Sequence, residues 1–144
     1  MVFRIVAVKE SLERFRELPN VELYSGIDDD ALRQLYRDSH IGLLPLQDST
    51  ANNALLEMMA CGLPIVVTRV GSVEDYITDD CCSICPDNRP EGIIRLLREL
   101  EQAPEERQRL GMAARQRGLE FSWPRTADRM AEVYNNCFQP REPA

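Results

Sequence analysis

Short apolar runs alternate along the chain with longer stretches in which apolar residues recur every three or four positions. Val2-Phe3-Arg4-Ile5-Val6-Ala7-Val8 predicts a strand, and residues 10–18 predict a charged helix. Pro19-Asn20 punctuates, and Val21-Glu22-Leu23-Tyr24 predicts a second strand ending at Ser25-Gly26. Asp28-Asp29-Asp30 opens the next helix, where acidic side chains cap free N–H groups and suit the positive dipole end. Leu32, Leu35 and Tyr36 give that helix one apolar face. Ile41-Gly42-Leu43-Leu44-Pro45 and Pro64-Ile65-Val66-Val67-Thr68 predict strands without alternation, as expected when both faces are covered. Residues 81–85 predict a fifth, weaker strand. Helices follow over 90–102, 104–119 and 124–137, each with a proline near its start, where the missing N–H costs nothing. Strand and helix in strict succession imply an α/β fold: a parallel sheet of about five strands, helices on both faces and a helical C-terminal segment. A single domain over 1–138 and a frayed tail over 139–144 complete the expectation.

Composition narrows the class without naming a function. The 144 residues carry 17 Lys+Arg against 24 Asp+Glu, a net charge of −7. Non-specific nucleic-acid binding needs a basic stripe, so that role is disfavoured. The best apolar run, 54–67, is broken by Glu57, Gly62 and Pro64, and falls short of the ~20 residues of a membrane span. Arg4 and Lys9 interrupt the apolar start, so no signal-peptide pattern is present. Five cysteines, three of them in one short run, do not read as a disulfide framework. Cys82 and Cys85 have the spacing of half a zinc site, but no second pair follows and the one histidine, His40, lies far upstream. No metal is therefore expected, and the thiols read as small apolar fillers. These features point to a soluble, acidic, cytoplasmic domain.

In an open parallel sheet, ligands bind beyond the C-terminal strand ends. The polar loop after the third strand, Leu46-Gln47-Asp48-Ser49-Thr50-Ala51-Asn52-Asn53, stands there and feeds a helix running to about Cys61. A helix N-terminus presents unpaired N–H groups to an anion. Ser49 or Thr50 is expected either to cap that helix or to bond a ligand. Leu55, Leu56, Met58 and Met59 cover most of the helix circumference, leaving Asn53 and Glu57, four apart, on one polar stripe. A carboxylate on a helix this apolar either meets water at an edge or turns into a pocket, where it can accept two hydroxyls at once, as a ribose offers. Both alternatives stand at this point.

Asn53-Ala-Leu-Leu-Glu57-Met-Met-Ala-Cys-Gly62-Leu-Pro64-Ile-Val-Val resembles the donor-site signature of the group 1 glycosyltransferases, retaining enzymes of GT-B fold. Residues 21–26, Ala31-Leu32 to Tyr36, Val70-Gly71, Arg107 to Gly111 and Phe121-Ser122-Trp123 extend the likeness over nearly the whole chain in order. The resemblance implies a Rossmann-like three-layer sandwich. It further implies the C-terminal, nucleotide-sugar-binding half of a hexosyltransferase in carbohydrate biosynthesis, inactive without an N-terminal acceptor domain. By the same resemblance Glu57 meets the ribose hydroxyls. Ser49, Thr50, Ala51, Asn52 and Asn53 surround the diphosphate and sugar, and Gly26 and Ile27 line the base. The donor is a substrate, no cofactor is implied, and no catalytic residue is assigned. The partners implied are a nucleotide sugar and the acceptor domain, with no transmembrane segment and with room for contact at a membrane surface.

Several positions depart from the family pattern. The glutamate expected to contact the transferred sugar is replaced by Ser49, with Asp48 beside it. Ser72 stands where a second glycine is usual, and the family's first strand and helix, with a Gly-Arg-Leu and a phosphate-binding lysine, have no counterpart. Lys9 does not replace that cation. The rival reading is a non-catalytic scaffold or protein-interaction module with the sheet order 2-1-3-4-5. Elsewhere, Tyr24, Tyr36 and Trp123 read as core or helix-packing residues. His40 is expected away from the site, and the charged stretch 95–117 is expected to be a solvated face.

Overall fold

The computed structural model describes residues 1–138, so the tail expected over 139–144 lies outside the described residues. The chain divides into two compact units, 1–35 and 36–144.

The first unit is a β–α–β element. Strands β1 (Phe3–Val6) and β2 (Val21–Tyr24) pair in parallel, with Arg4 opposite Glu22 and Val6 opposite Tyr24. Helix α1 (Lys9–Leu12) is shorter than expected and continues as a 3-10 turn over Glu13–Phe15. Leu12 is its one buried side chain, and a helix with no longer apolar stripe gains little from further turns. Asp28 opens helix α2 (Asp29–Arg37): its Oδ1 accepts from the Ala31 N–H at 2.8 Å, as the acidic run predicts. The last residues of α2, Tyr36 and Arg37, belong to the second unit.

The second unit holds strands β3 (Gly42–Leu44), β4 (Ile65–Thr68) and β5 (Ser83–Cys85), all parallel in the order β3-β4-β5. The expected single sheet of five strands is thus replaced by sheets of two and three. The burial patterns give the reason. All four residues of β4 are buried, as in a strand flanked on both sides. Those of β1 alternate half-buried and exposed, and β1 bonds only to β2.

Helix α3 (Asn53–Ala60) ends in a Schellman motif. The Gly62 N–H reaches the Met59 carbonyl at 2.9 Å and the Leu63 N–H reaches that of Met58 at 3.1 Å. Gly62 holds φ +73°, a conformation that an L side chain resists, and Leu63 behind it is buried. The Cys-Gly-x-Pro run is therefore first a helix stop. A short helix that the pattern did not predict, α4 (Val73–Tyr76), follows β4. Then come α5 (Pro90–Gln102), α6 (Pro104–Leu119) and α7 (Trp123–Cys137), close to their predicted bounds.

The core centres on Leu55, Met59, Ile65, Val67, Val73 and Ala114. Helix α6 lies against α3 through small residues. A Cβ on Gly111 would stand 2.3 Å from the Gly62 carbonyl oxygen, and one on Gly118 would stand 3.0 Å from Met59 Cβ. Cys81, Cys82 and Cys85 are buried and free, and the first two belong to this core; Cys81 is more than the expected apolar filler, because its Sγ accepts from the Thr78 N–H at 3.2 Å.

Most of the charged stretch 95–117 is exposed, as expected of a solvated face, but four of its arginines also bond backbone carbonyls. Arg115 donates to the Ala60 carbonyl that ends α3. Arg117 donates to the carbonyls of Tyr76 (2.9 Å) and Asp75 (3.1 Å) at the end of α4. Arg107 donates to the Leu100 and Glu101 carbonyls near the end of α5, and Arg109 to that of Asp80 at 3.2 Å. Arg107, Arg115 and Arg117 thus satisfy carbonyls left over at helix C-termini, where positive charge is favoured, and Arg109 reaches the turn ahead of β5. Helical spacing shows where a long side chain departs, not where its head lands. Trp123 also differs from expectation: it is 86% exposed, and every side chain from 127 to 138 is exposed.

Candidate functional site

The loop that leaves β3 is held from the end of β4. Thr68, buried, donates from Oγ1 to the Leu46 carbonyl at 2.7 Å. Past β4, Ser72 returns to the same loop. Its N–H bonds the Ser49 carbonyl at 2.8 Å, and its hydroxyl donates to the Thr50 carbonyl at 2.5 Å. Gly71 makes this approach possible. It has φ +51°, and a Cβ there would stand 2.1 Å from the Ser49 carbonyl oxygen. Ser72, met in the sequence only as a departure, is thus a clasp whose hydroxyl a glycine could not supply. Beside the same approach, Asp48 Oδ1 accepts from the Ser49 N–H at 2.8 Å.

Asn52 caps α3, in place of the expected Ser49 or Thr50. Its Oδ1 accepts from the Leu55 N–H at 2.9 Å with the backbone extended, while Ser49 and Thr50 are committed to the clasp through their carbonyls. Thr50, Ala51 and Asn53 are exposed, and Ser49 and Asn52 are half-buried. Along α3, Leu55 and Met59 are fully buried, whereas Asn53 and Glu57 share the exposed stripe, as their spacing predicts. The polar loop, the capped helix start and Glu57 therefore sit in succession on one unit. Gly26 and Ile27 lie in the first unit, on the turn between β2 and α2, where Gly26 takes φ +66° and Ile27 is half-buried.

Glu57 has a partner that sequence reasoning missed. The Tyr36 hydroxyl donates to Glu57 Oε2 at 3.0 Å. Burial first, and then this bond to a carboxylate, raises the phenol's pKa well above its ordinary value, so the hydroxyl remains a donor. The apolar spacing of Leu32, Leu35 and Tyr36 placed the ring on a packing face and was silent about its oxygen. The two residues lie 21 positions apart, and no local pattern links them. Tyr24 is likewise tied to an acid, donating to Glu22 at 3.0 Å, which raises its pKa. His40 is exposed just ahead of β3, at the opposite end of that strand from the loop.

Parallel strands, interleaved helices and a polar loop feeding a capped helix make this an α/β module of the kind found in GT-B glycosyltransferases. A structural match bears on this directly: sucrose-phosphate synthase from Thermosynechococcus elongatus superposes with a TM-score of 0.80 at 18% identity, over 94% of this chain and 38% of that one. The Anabaena protein Alr3699/HepE, solved in complex with UDP-glucose, superposes with a TM-score of 0.70 at 14% identity, over 88% and 35% of the two chains. At such identities the likeness is one of fold.

Sequence carries the assignment further. The family model described as glycosyl transferases group 1 matches residues 8–117, and the chain belongs to that family. Among curated relatives, a GDP-mannose-dependent alpha-(1-6)-phosphatidylinositol dimannoside mannosyltransferase of Mycobacterium tuberculosis is 37% identical over 103 residues. That match takes in 72% of this chain and 26% of the relative, so the chain spans about a quarter of the relative's length. Among the described residues, no helix is long and apolar enough to cross a membrane.

Proposed function

We propose that this chain is the nucleotide-diphosphate-sugar-binding part of a hexosyltransferase. The observation that carries the reading is Glu57: an exposed carboxylate on a helix whose Leu55 and Met59 are fully buried, one turn past Asn53 and the polar loop. An ionised carboxylate accepts both hydroxyls of a ribose. The N-terminal turn of α3, with Ser49, Thr50, Ala51, Asn52 and Asn53, suits the diphosphate and the sugar. Asp48 or Ser49 takes the sugar contact. Support also comes from the mycobacterial relative, whose name specifies GDP-mannose, and from the Anabaena fold neighbour solved with UDP-glucose.

The chemistry lies at the anomeric carbon, in a cleft whose other wall is an acceptor domain. Donors aimed at the departing phosphate oxygens stabilise the charge that develops there. This chain supplies the donor wall and is inactive alone. The reading requires no metal or organic cofactor and places the protein in the cytoplasm. Because the net charge is −7, the affinity for an anionic donor comes from local amides and the helix N-terminus rather than from the overall field.

Titration of the isotopically labelled chain with GDP-mannose and UDP-glucose, followed by NMR, tests the proposal. Shifts centred on 49–57 are expected, weakened in Glu57→Ala. No binding at millimolar ligand, or equal binding by Glu57→Ala, would favour the scaffold instead. Sugar transfer by the chain without a second polypeptide would refute its dependence on an acceptor domain.

A further inference from the structure

We infer that Tyr36 is the positioning residue that sets the ribose preference of this site, by holding the Glu57 carboxylate in one orientation. The inference rests on the proposed role of Glu57 and extends it to a residue on a different helix.

Glu57 is exposed, and an exposed glutamate has three side-chain torsions to lose when it binds. The Tyr36 hydroxyl removes part of that freedom in advance. It sits 3.0 Å from Oε2, on a half-buried ring near the end of α2. The phenol stays protonated, because burial and the adjacent carboxylate both disfavour its anion. Tyr36 is therefore a fixed donor, and Glu57 is the acceptor it orients.

The bond also divides the carboxylate's capacity. Two oxygens offer about four lone-pair directions, and the phenol uses one of those on Oε2. Oε1 is left whole and Oε2 half-used, which is enough for two neighbouring hydroxyls and gives them a defined direction of approach. A carboxylate already held pays less to bind, which is how preorganisation raises affinity. A phenylalanine would keep the ring and its packing while removing the donor, so its effect would fall on orientation alone.

The experiment compares nucleoside diphosphates with and without the ribose hydroxyls. The full 144-residue chain is titrated with GDP and UDP, and with the 2′,3′-dideoxy form of whichever binds, by NMR or calorimetry. The wild-type chain is expected to favour the ribo form by at least about tenfold, and Glu57→Gln to abolish most of that preference. Tyr36→Phe is expected to reduce the preference roughly fivefold, leaving affinity for the dideoxy probe and the melting temperature nearly unchanged. If Tyr36→Phe keeps the wild-type preference while Glu57→Gln loses it, positioning by Tyr36 is refuted and the role of Glu57 stands. Equal weakening of both probes in Tyr36→Phe would make the tyrosine structural and refute the inference as well. If the wild-type chain shows no ribose preference, the reading of Glu57 fails and takes the inference with it.

Discussion

The two units use the same strand–helix–strand succession and differ in what they bury. In residues 1–35 a single side chain, Leu12, is buried, β1 and β2 are half-exposed, and Arg4 lies across from Glu22 at 3.1 Å in contact with water. From Tyr36 onward, β4 is buried along its whole length, α6 lies against α3 through glycine and alanine, and arginines close the ends of three helices. Identical local grammar thus yields a lightly packed element in one place and a close-packed one in another. Burial rather than secondary structure carries the stability, since each buried apolar side chain contributes about 1.5–3 kcal/mol and an exposed ion pair about 0–1.

The sharpest test of that contrast is Gly111→Ala. The added methyl meets backbone of Gly62, which cannot swing aside as a flexible side chain would, so a loss of about 3 kcal/mol is expected by chemical denaturation. A loss under about 0.5 kcal/mol would show that α6 is not pressed against the end of α3. Next in size is Arg117→Ala. It removes the donors to Tyr76 and Asp75 and the guanidinium that lies 4.8 Å from the Phe121 ring centre. Roughly 2 kcal/mol should go, with amide exchange quickening first in α4.

Asn52→Ala follows, at about 1 kcal/mol, because Leu55 loses its cap. Asn52→Asp should retain most of it, which separates a capping role from general loop damage. No larger is the change in the first unit. Glu22→Ala breaks an ion pair whose partners are 35% and 48% exposed, together with the Tyr24 hydroxyl's bond to the same carboxylate, and should cost about 1 kcal/mol, of which added salt removes the ion-pair share. A larger loss there than at Arg117 would overturn the ranking of the two units.

Much of the fold was legible beforehand. The continuous apolar runs of β3 and β4, the acidic start of α2 and the three proline-led helices are local signals, and each stands close to where it was expected. The candidate loop and the polar stripe of Asn53 and Glu57 were legible for the same reason, since a helical step of 100° per residue is indifferent to what surrounds it. The sheet was not. Whether neighbouring strands exchange hydrogen bonds depends on their placement in space, and β1 resembles an inner strand in composition while its side chains alternate between half-buried and exposed. Ser49, Thr50 and Asn52 are all capping residue types, and only the point where the helix begins, at Asn53, selects Asn52.

Local pattern along the chain was enough for most of the elements, for the end of α3 near Cys61 and for the stripe carrying Glu57, while the motif run from Asn53 to Val67 carried the resemblance to a family. Tertiary structure alone decided what long side chains reach. It brought Arg107, Arg109, Arg115 and Arg117 onto backbone carbonyls, gave Ser72 to the loop after β3, and brought the Tyr36 hydroxyl to Glu57 across 21 residues. The reason is geometric. A residue's position fixes the direction in which its side chain leaves the backbone, while the partner at the far end belongs to another element whose approach only packing sets.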